Sequence, residues 1–127
     1  MQNLGFAHYN IRASSDLLET LRDFYVEAIG LTVGPRAALK SVGYWLYAGG
    51  RDVLHLSTQG PSEHRRTGSD LTFDHVAFDC RGAAGWEQHL QALGIPFRRV
   101  VIPESGHVQY FLRDPAGNGV ELNFPPE

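Results

Sequence analysis

The chain of 127 residues carries one sequence pattern twice. Three pieces of the first half recur in the second half at a nearly constant separation, and one of them begins with a phenylalanine and a histidine two positions apart. Solenoid folds need three or more stacked copies, so two copies predict two similar modules packed into one domain. The matching pairs are residues 6–11 with 73–78, residues 27–31 with 91–95, and residues 44–56 with 110–122.

Each copy has the pattern of one strand, one helix and three further strands. Apolar and polar residues alternate in the first segment of each copy, which is typical of a half-buried strand, and a helical stripe of apolar residues follows. Asp16 is the predicted N-cap of the first helix, and Gly30 and Gly94 are the predicted ends of the two helices. Strands are predicted near residues 5–13, 31–33, 44–48 and 52–57 in the first copy and near residues 72–80, 96–101, 108–112 and 119–124 in the second.

A polar stretch separates the two copies. It runs over residues 58–70 and lacks the periodic apolar positions that flank it on both sides. We therefore predict one α+β domain built from two βαβββ modules in tandem, at residues 1–57 and 71–127, with residues 58–70 as the linker.

Four metal-capable side chains lie at equivalent positions of the two copies. His8 and His75 lie opposite the apolar face of the first strand in their copy. In the last strand of each copy, His55 and Glu121 are flanked by apolar residues that can pack on the helix, so both point to the other face. Two modules related by a pseudo-twofold axis can bring these four side chains to one point.

Three imidazoles and one carboxylate suit a borderline divalent ion. We predict one such ion per site, Zn²⁺, Ni²⁺, Co²⁺, Mn²⁺ or Fe²⁺, bound by His8, His55, His75 and Glu121. Calcium fits poorly because it prefers ligand sets made of oxygen alone. A single histidine on a strand is more often a hydrogen-bonded structural residue, so the prediction depends on the four repeat-related positions together.

The remaining histidines, the cysteine and the aromatic residues do not join this pattern. His89 on the second helix and His64 in the linker are expected to face solvent or to pack, whereas His107 lies in a loop that could place it at the rim of a cavity. Cys80 is expected to be a small core residue on the helix-packing side. Aromatic residues of the central strands can line a pocket but more often fill the core, and these are Tyr44, Trp45, Tyr47, Tyr110 and Phe111.

Charge and composition argue against several functional classes. Eleven basic and fourteen acidic residues give a net charge of −3 without a dense basic patch for nucleic acid. No apolar run approaches the ~18 residues of a membrane span, and the first residues lack the pattern of a signal peptide. A single cysteine forms no internal disulfide, which favours a reducing compartment, so we expect a cytoplasmic protein.

The repeated pieces resemble the vicinal oxygen chelate superfamily, also called the glyoxalase/bleomycin resistance/dioxygenase family. The resemblance implies the glyoxalase-like fold, with mixed sheets curling round a metal cavity, and a homodimer with two equivalent sites. It also implies that the ion chelates two adjacent oxygens of a small substrate and stabilises an enediolate-like or oxyanionic intermediate, with Glu121 as the catalytic base. The matching pieces, which span nearly the whole chain, are residues 6–8, 24–31, 73–78 and 114–122.

Several activities share this scaffold, and the sequence matches the pattern of each only in part. Glyoxalase I enzymes typically have a carboxylate where His55 stands. Extradiol dioxygenases use two histidines and one glutamate, but their tyrosine before the Asp-Pro turn would fall at Phe111. Fosfomycin-modifying thiol transferases share the two histidines and the glutamate and add a cationic groove for the phosphonate. Bleomycin-type binding proteins lack the metal ligands.

We therefore expect a metal-dependent enzyme, either a lyase or isomerase of glyoxalase I type or a dioxygenase-like enzyme. The alternatives are an extradiol-type dioxygenase, a fosfomycin-type thiol transferase and a non-catalytic protein that binds a small molecule. The non-catalytic protein keeps its ligand after a chelator removes the metal, whereas the enzyme loses its activity. Because Glu121 is the only carboxylate in the predicted ligand set, formation of lactoylglutathione is expected to be slow or absent.

Overall fold

The structure is a computed structural model that describes residues 1–127 and divides them into two units, Met1–Arg66 and Thr67–Glu127. Each unit has one helix and one four-stranded sheet, in the order strand, helix and three strands. The predicted α+β fold of two βαβββ modules is therefore confirmed. The elements are β1 (Tyr9–Ala13), α1 (Ser15–Glu27), β2 (Thr32–Gly34), β3 (Gly43–Ala48), β4 (Arg51–Thr58), β5 (His75–Asp79), α2 (Ala83–Ala92), β6 (Arg98–Val101), β7 (Val108–Arg113) and β8 (Gly119–Phe124).

The two sheets have the same strand order and the same register. The first sheet has the order β1-β4-β3-β2 and the second the order β5-β8-β7-β6. In each sheet the first and last strands of the unit are parallel and the other pairs are antiparallel. Tyr9 lies opposite Leu54 in the first sheet, and Val76 lies opposite Val120 in the second. The repeated sequence therefore forms the same strand pairing in both units.

The helix ends follow local backbone chemistry. The side chain of Ser14 accepts a hydrogen bond from the Leu17 amide at 3.4 Å, so Ser14 is the N-cap of α1. The predicted N-cap, Asp16, is wrong because the helix starts directly after β1, and Asp16 already lies in the first helical turn. Gly30 and Gly94 have φ angles of 80° and 68°, the left-handed conformation expected after a helix.

Apolar side chains on one face of each sheet form the core of that unit. In the first unit α1 packs on β1, β3 and β4. In the second unit the Tyr110 hydroxyl donates to the Ala83 carbonyl at 3.1 Å, which ties β7 to the start of α2. The faces away from the helices remain for polar chemistry. The side chains with the deepest burial are Leu18, Leu21, Tyr25, Leu46, Leu54 and Leu56 in the first unit and Leu90, Tyr110, Val120 and Leu122 in the second.

The segment between the sheets has no helix or strand from residue 59 to residue 74. Arg12 of β1 pairs with Glu63 at 3.2 Å, which holds the first part of the segment to the first unit. The Gly68 amide donates to the Ala116 carbonyl at 2.9 Å, which holds the later part to the second unit. The first strand of each unit begins later than predicted, at Tyr9 and at His75. Neither helix is long and apolar enough to cross a membrane.

Candidate metal centre

Three rings are stacked in the first unit, on the sheet face away from α1. The His8 and His55 rings are nearly parallel, with their centroids 3.7 Å apart. Trp45 lies directly opposite His55 in the pairing of β3 with β4, and its ring is 4.1 Å from the imidazole. Because β4 lies between β1 and β3, the His55 ring is held between the other two. Only 8% of His55 is exposed, so its orientation is fixed by packing.

A carboxylate joins this stack. Asp52 Oδ2 lies 2.7 Å from His55 Nε2. The donor atoms of His8, Asp52 and His55 all lie within 4.8 Å of one another, close enough for one metal ion to bind several of them. The hydrogen bond from His55 is the main reason why the pKa of Asp52 is lower than usual. Asp52 therefore stays ionised beside the two imidazoles.

Asp52 is a site residue that the sequence pattern does not predict. Strict alternation along β4 places residues 52 and 55 on opposite faces. However, Leu46 pairs with Leu54 and Tyr47 pairs with Asp52, which leaves Val53 without a partner in β3. This β-bulge inserts one residue and turns Asp52 onto the face of His55. No feature of the apolar pattern indicates the bulge.

In the second unit His75 lies between two carboxylates. Its Nδ1 is 2.7 Å from Asp74 Oδ2, and its Nε2 is 3.3 Å from Glu121 Oε1. Only 7% of Glu121 is exposed, whereas the Asp74 side chain is 86% exposed. The hydrogen bond from His75 is the main cause of the lowered pKa of Asp74. Phe111 pairs with Glu121 in the strand register. Its ring lies edge-on to that of His75, with the two ring centroids 5.7 Å apart.

The orientation of both histidines fits a bound metal ion. A metal-ligating histidine usually donates its second ring N–H to a carboxylate, which fixes the tautomer. Asp74 occupies Nδ1 of His75 and leaves Nε2 facing the buried Glu121 carboxylate. Asp52 occupies Nε2 of His55 and leaves Nδ1 for another ligand. A buried carboxylate next to an imidazole nitrogen is stabilised by a cation that binds both, so the donor chemistry suits a divalent ion.

The structure brings the four predicted ligands together in pairs, His8 with His55 and His75 with Glu121. The other histidines have different contacts: His107 Nδ1 is 2.8 Å from the Ser105 hydroxyl, and His89 meets the edge of Trp86. Cys80 is half-buried, and burial raises the pKa of its thiol to about 11.

The aromatic residues of the central strands divide between two roles. Tyr110 is 1% exposed and fills the core, as the more frequent role predicts. Trp45 and Phe111 instead lie at repeat-equivalent positions on the site face, against His55 and His75. The sequence signal that distinguishes them is strand parity, since Phe111 and Tyr110 alternate along β7.

Comparisons with known proteins agree with this architecture. A family model described as the Glyoxalase/Bleomycin resistance protein/Dioxygenase superfamily matches residues 5–122. Glyoxylase I 4 of Arabidopsis thaliana is 26% identical over 104 residues, which are 79% of this chain and 60% of the Arabidopsis protein. This chain thus spans about 60% of that relative's length.

Solved structures share the fold across the whole chain. A glyoxalase family protein from Bacillus anthracis superposes with a TM-score of 0.77 at 24% identity, covering 99% of this chain and 100% of that one. A fosfomycin resistance protein from Listeria monocytogenes, in complex with Mn(II) and sulfate, superposes with a TM-score of 0.69 at 14% identity. That match covers 98% of this chain and 95% of the Listeria chain.

Proposed function

Because the chain belongs to the Glyoxalase/Bleomycin resistance protein/Dioxygenase superfamily, we propose that it is a metal-dependent enzyme acting on a small substrate with two adjacent oxygen atoms. The observation that carries the proposal is the pairing of metal-capable groups at repeat-equivalent positions, two stacked imidazoles in one unit and an imidazole with a buried carboxylate in the other. The proposed ligands of one divalent ion are His8, His55, His75 and Glu121.

The ion is proposed to be Zn²⁺, Ni²⁺, Co²⁺, Mn²⁺ or Fe²⁺, because imidazole and carboxylate donors suit these metals. The Mn(II) of the Listeria relative supports this choice. When bound, such an ion supplies Lewis-acid polarisation of the two substrate oxygens. Asp52 and Asp74 hold the rings of His55 and His75 in the ligating orientation.

Glu121 is the proposed catalytic base. Its carboxylate is buried, lies next to His75 and is walled by Phe111 from the neighbouring strand. A carboxylate in this position can accept a proton from a substrate carbon and return it to the adjacent carbon, as an isomerase or lyase requires. The Arabidopsis relative, named Glyoxylase I 4, supports this reaction class over oxygen chemistry or thiol transfer.

The test is a turnover screen with protein loaded separately with each of the five metals. The substrates are the hemithioacetal of methylglyoxal and glutathione, catechol, and fosfomycin with a thiol. We expect turnover of at least one substrate at ~1–10³ s⁻¹, with the glutathione hemithioacetal slow for lack of a second carboxylate. Glu121→Gln should lower the rate by about 10²–10⁴-fold.

The matched control is Glu104→Gln, which removes an exposed carboxylate of the same unit. It should leave the rate unchanged. A Glu121→Gln protein that keeps both its metal and its activity would refute the base assignment. Absence of turnover with all metals and substrates, together with ligand binding that survives chelation, would favour the non-catalytic binding protein.

We further propose a homodimer in which each site takes its two ligand pairs from different chains. Unfolding His8→Ala and His75→Ala chains together and refolding the mixture then produces mixed dimers, each with one intact site. Because about half of the dimers are mixed, the mixture should hold about a quarter of the wild-type metal content. If both pairs come from one chain, the mixture binds no metal. Sedimentation of the metal-loaded protein as a monomer at micromolar concentration would also exclude sharing between chains.

A further inference from the structure

The second unit has a groove beside His75 to which the proposed metal chemistry assigns no role. A cavity of about 290 Å³ is lined by His75, Arg98, Phe111 and Arg113, among others. A second cavity of about 320 Å³ shares both arginines and Phe111 and continues to Phe97 and Pro96. The two form one groove, with a proposed metal ligand at one end, two guanidinium groups in the middle and an apolar surface at the other end.

The two arginines of this groove make no close ion pair, although the charge of Arg113 contributes to the lowered pKa of Asp74. The Arg98 guanidinium carbon lies 4.9 Å from the centre of the Phe111 ring, a cation–π contact that holds the charge over the groove. Arg113 donates one hydrogen bond, to the Gly117 carbonyl at 3.1 Å. Neither arginine forms a salt bridge, so most of their N–H donors are available to a ligand.

The charge of the lining is positive overall. The single carboxylate, Asp74, already accepts a hydrogen bond from His75 at 2.7 Å, and it faces two permanent positive charges. Guanidinium groups recognise planar carboxylate and phosphoryl groups through paired hydrogen bonds. An anion is therefore the chemical complement of this groove.

We propose that Arg98 and Arg113 bind an acidic group of the substrate, a carboxylate or a phosphoryl group, while its apolar part lies along Phe111, Phe97 and Pro96. Assigning this anion to the substrate rests on the proposed function above, whereas the anion site itself rests on the groove alone. The substrate class that fits both is an organic acid whose two adjacent oxygens lie at the His75 end and whose acidic group lies on the arginines.

Strand β6 offers a matched control for this proposal. Arg98 lies opposite Phe111 in the register, on the groove side, whereas its neighbour Arg99 lies opposite the core residue Tyr110. Both are exposed arginines on the same strand, so replacing either one changes the net charge equally. Of these two neighbours, Arg98 lines the groove and Arg99 does not.

The test titrates the full-length protein with two probes, inorganic phosphate and benzoate, by calorimetry at constant ionic strength, both metal-loaded and after chelation. We expect at least one probe to bind the chelated protein, and its identity tells a phosphoryl site from a carboxylate site. Arg98→Met and Arg113→Gln should weaken that binding by about tenfold or more, whereas Arg99→Gln should leave it unchanged. Arg98→Lys, which keeps a charge in place, should retain part of the binding.

Two results would overturn the anion site: neither probe binds the wild-type protein, or Arg98→Met and Arg99→Gln weaken binding equally. The metal content of the same preparations separates this outcome from a failure of the proposed function. Arg98→Met should keep all its metal, since the guanidinium is not among the proposed ligands. Anion binding by a wild-type protein that takes up no metal would refute the metal-dependent chemistry and leave the anion site standing.

Discussion

The two units share one backbone plan but carry different chemistry on it. In the first unit the proposed ligands are stacked rings, with His55 held between His8 and Trp45 and hydrogen-bonded to Asp52. In the second unit a single histidine is held between an exposed and a buried carboxylate. Equivalent strand pairing therefore sets where side chains lie, and the residue types at those positions set what each half can bind.

The two units also differ in the charged residues on the sheet faces that carry the proposed ligands. In the first unit Arg12 donates to Ser57 at 3.3 Å and pairs with Glu63, so that face carries a cation. The corresponding residues of the second unit are Asp79 and Asn123, joined by a 2.7 Å hydrogen bond, and that face carries an anion. One pair of equivalent positions thus holds a cation, Arg12, in the first unit and an anion, Asp79, in the second.

The largest expected effect concerns what the units share, their cores. Leu56 and Leu122 are equivalent residues on β4 and β8, and both are 0% exposed. Changing either to alanine should lower the free energy of unfolding by about 2–5 kcal/mol, because each leaves a cavity in a packed interior. Urea titration measures both variants, with Val101→Ala at a 47% exposed position as the control. If one of the two leucine variants loses less free energy of unfolding than Val101→Ala, the two cores are not equivalent.

A second expected effect concerns the reactivity of Cys80, which lies just after the first strand of the second unit. Cys80 follows β5 where the first unit has Ala13 at the end of β1. Burial, assisted by the nearby Asp79, raises the pKa of the thiol from 9.0 to about 11. A thiol with a raised pKa is protonated below that value, so its thiolate fraction at pH 8 is about a hundredfold smaller than for an ordinary cysteine.

Alkylation by iodoacetamide measures this fraction. The rate should be low at pH 8 and should rise with pH until about pH 11. The same chain unfolded in guanidinium chloride serves as the control and should react at the ordinary rate. A folded-state rate that levels off near pH 9 would contradict the assignment.

The third expected effect compares the two carboxylates that orient the histidines. Asp52→Asn should weaken metal binding by about 10–100-fold, and Asp74→Asn should weaken it less. The reason for the difference is solvent exposure: the Asp52 side chain is 40% exposed and that of Asp74 86% exposed, so water competes more for the second hydrogen bond. Competition with a metal-sensitive dye measures both affinities. Equal losses of affinity, or a larger loss for Asp74→Asn, would show that solvent exposure does not set the strength of these hydrogen bonds.

The smallest expected effect concerns Glu63, which has no counterpart in the second unit. The Gly60 amide, followed by Arg65 and Arg12, keeps the pKa of this carboxylate below its usual value. A lowered pKa in the folded state stabilises the fold above the ordinary glutamate pKa, and this contribution is lost as the pH falls. Glu63→Gln should therefore be slightly less stable than the wild type at pH 7, and thermal unfolding should show this difference shrinking as the pH falls through the lowered pKa. A difference that does not shrink with falling pH would rule out a charge effect.

The sequence predicts the architecture well because strand alternation and glycine positions are local signals. Gly30 and Gly94 end the helices as predicted, whereas His8 immediately precedes β1 and His75 opens β5, although the pattern predicts both inside strands. Strand parity also predicts the face on which His55 and Glu121 lie. The starts of β1 and β5 are predicted too early, because alternation continues into residues that form no ladder.

Non-local features are what the sequence does not reveal. Asp52 reaches His55 only because of a bulge, which depends on how β3 and β4 pair. Asp74 precedes a strand and carries no periodic signal of its own. The arginines at positions 98 and 113 lie on two antiparallel strands and share a groove only through their register. Each of these residues becomes visible once the pairing partners are known.

Whether the two ligand pairs form one metal site is decided by the number of metal ions per chain in the wild type, His8→Ala and His75→Ala proteins. If one ion is bound by ligands from both units, the wild type holds one ion per chain, and either variant loses nearly all of it. Elemental analysis after gel filtration, with His107→Ala as the matched control, gives the count. Two ions per wild-type chain, or a variant in one unit that leaves the metal content unchanged, would show that the two ligand pairs do not act as one site.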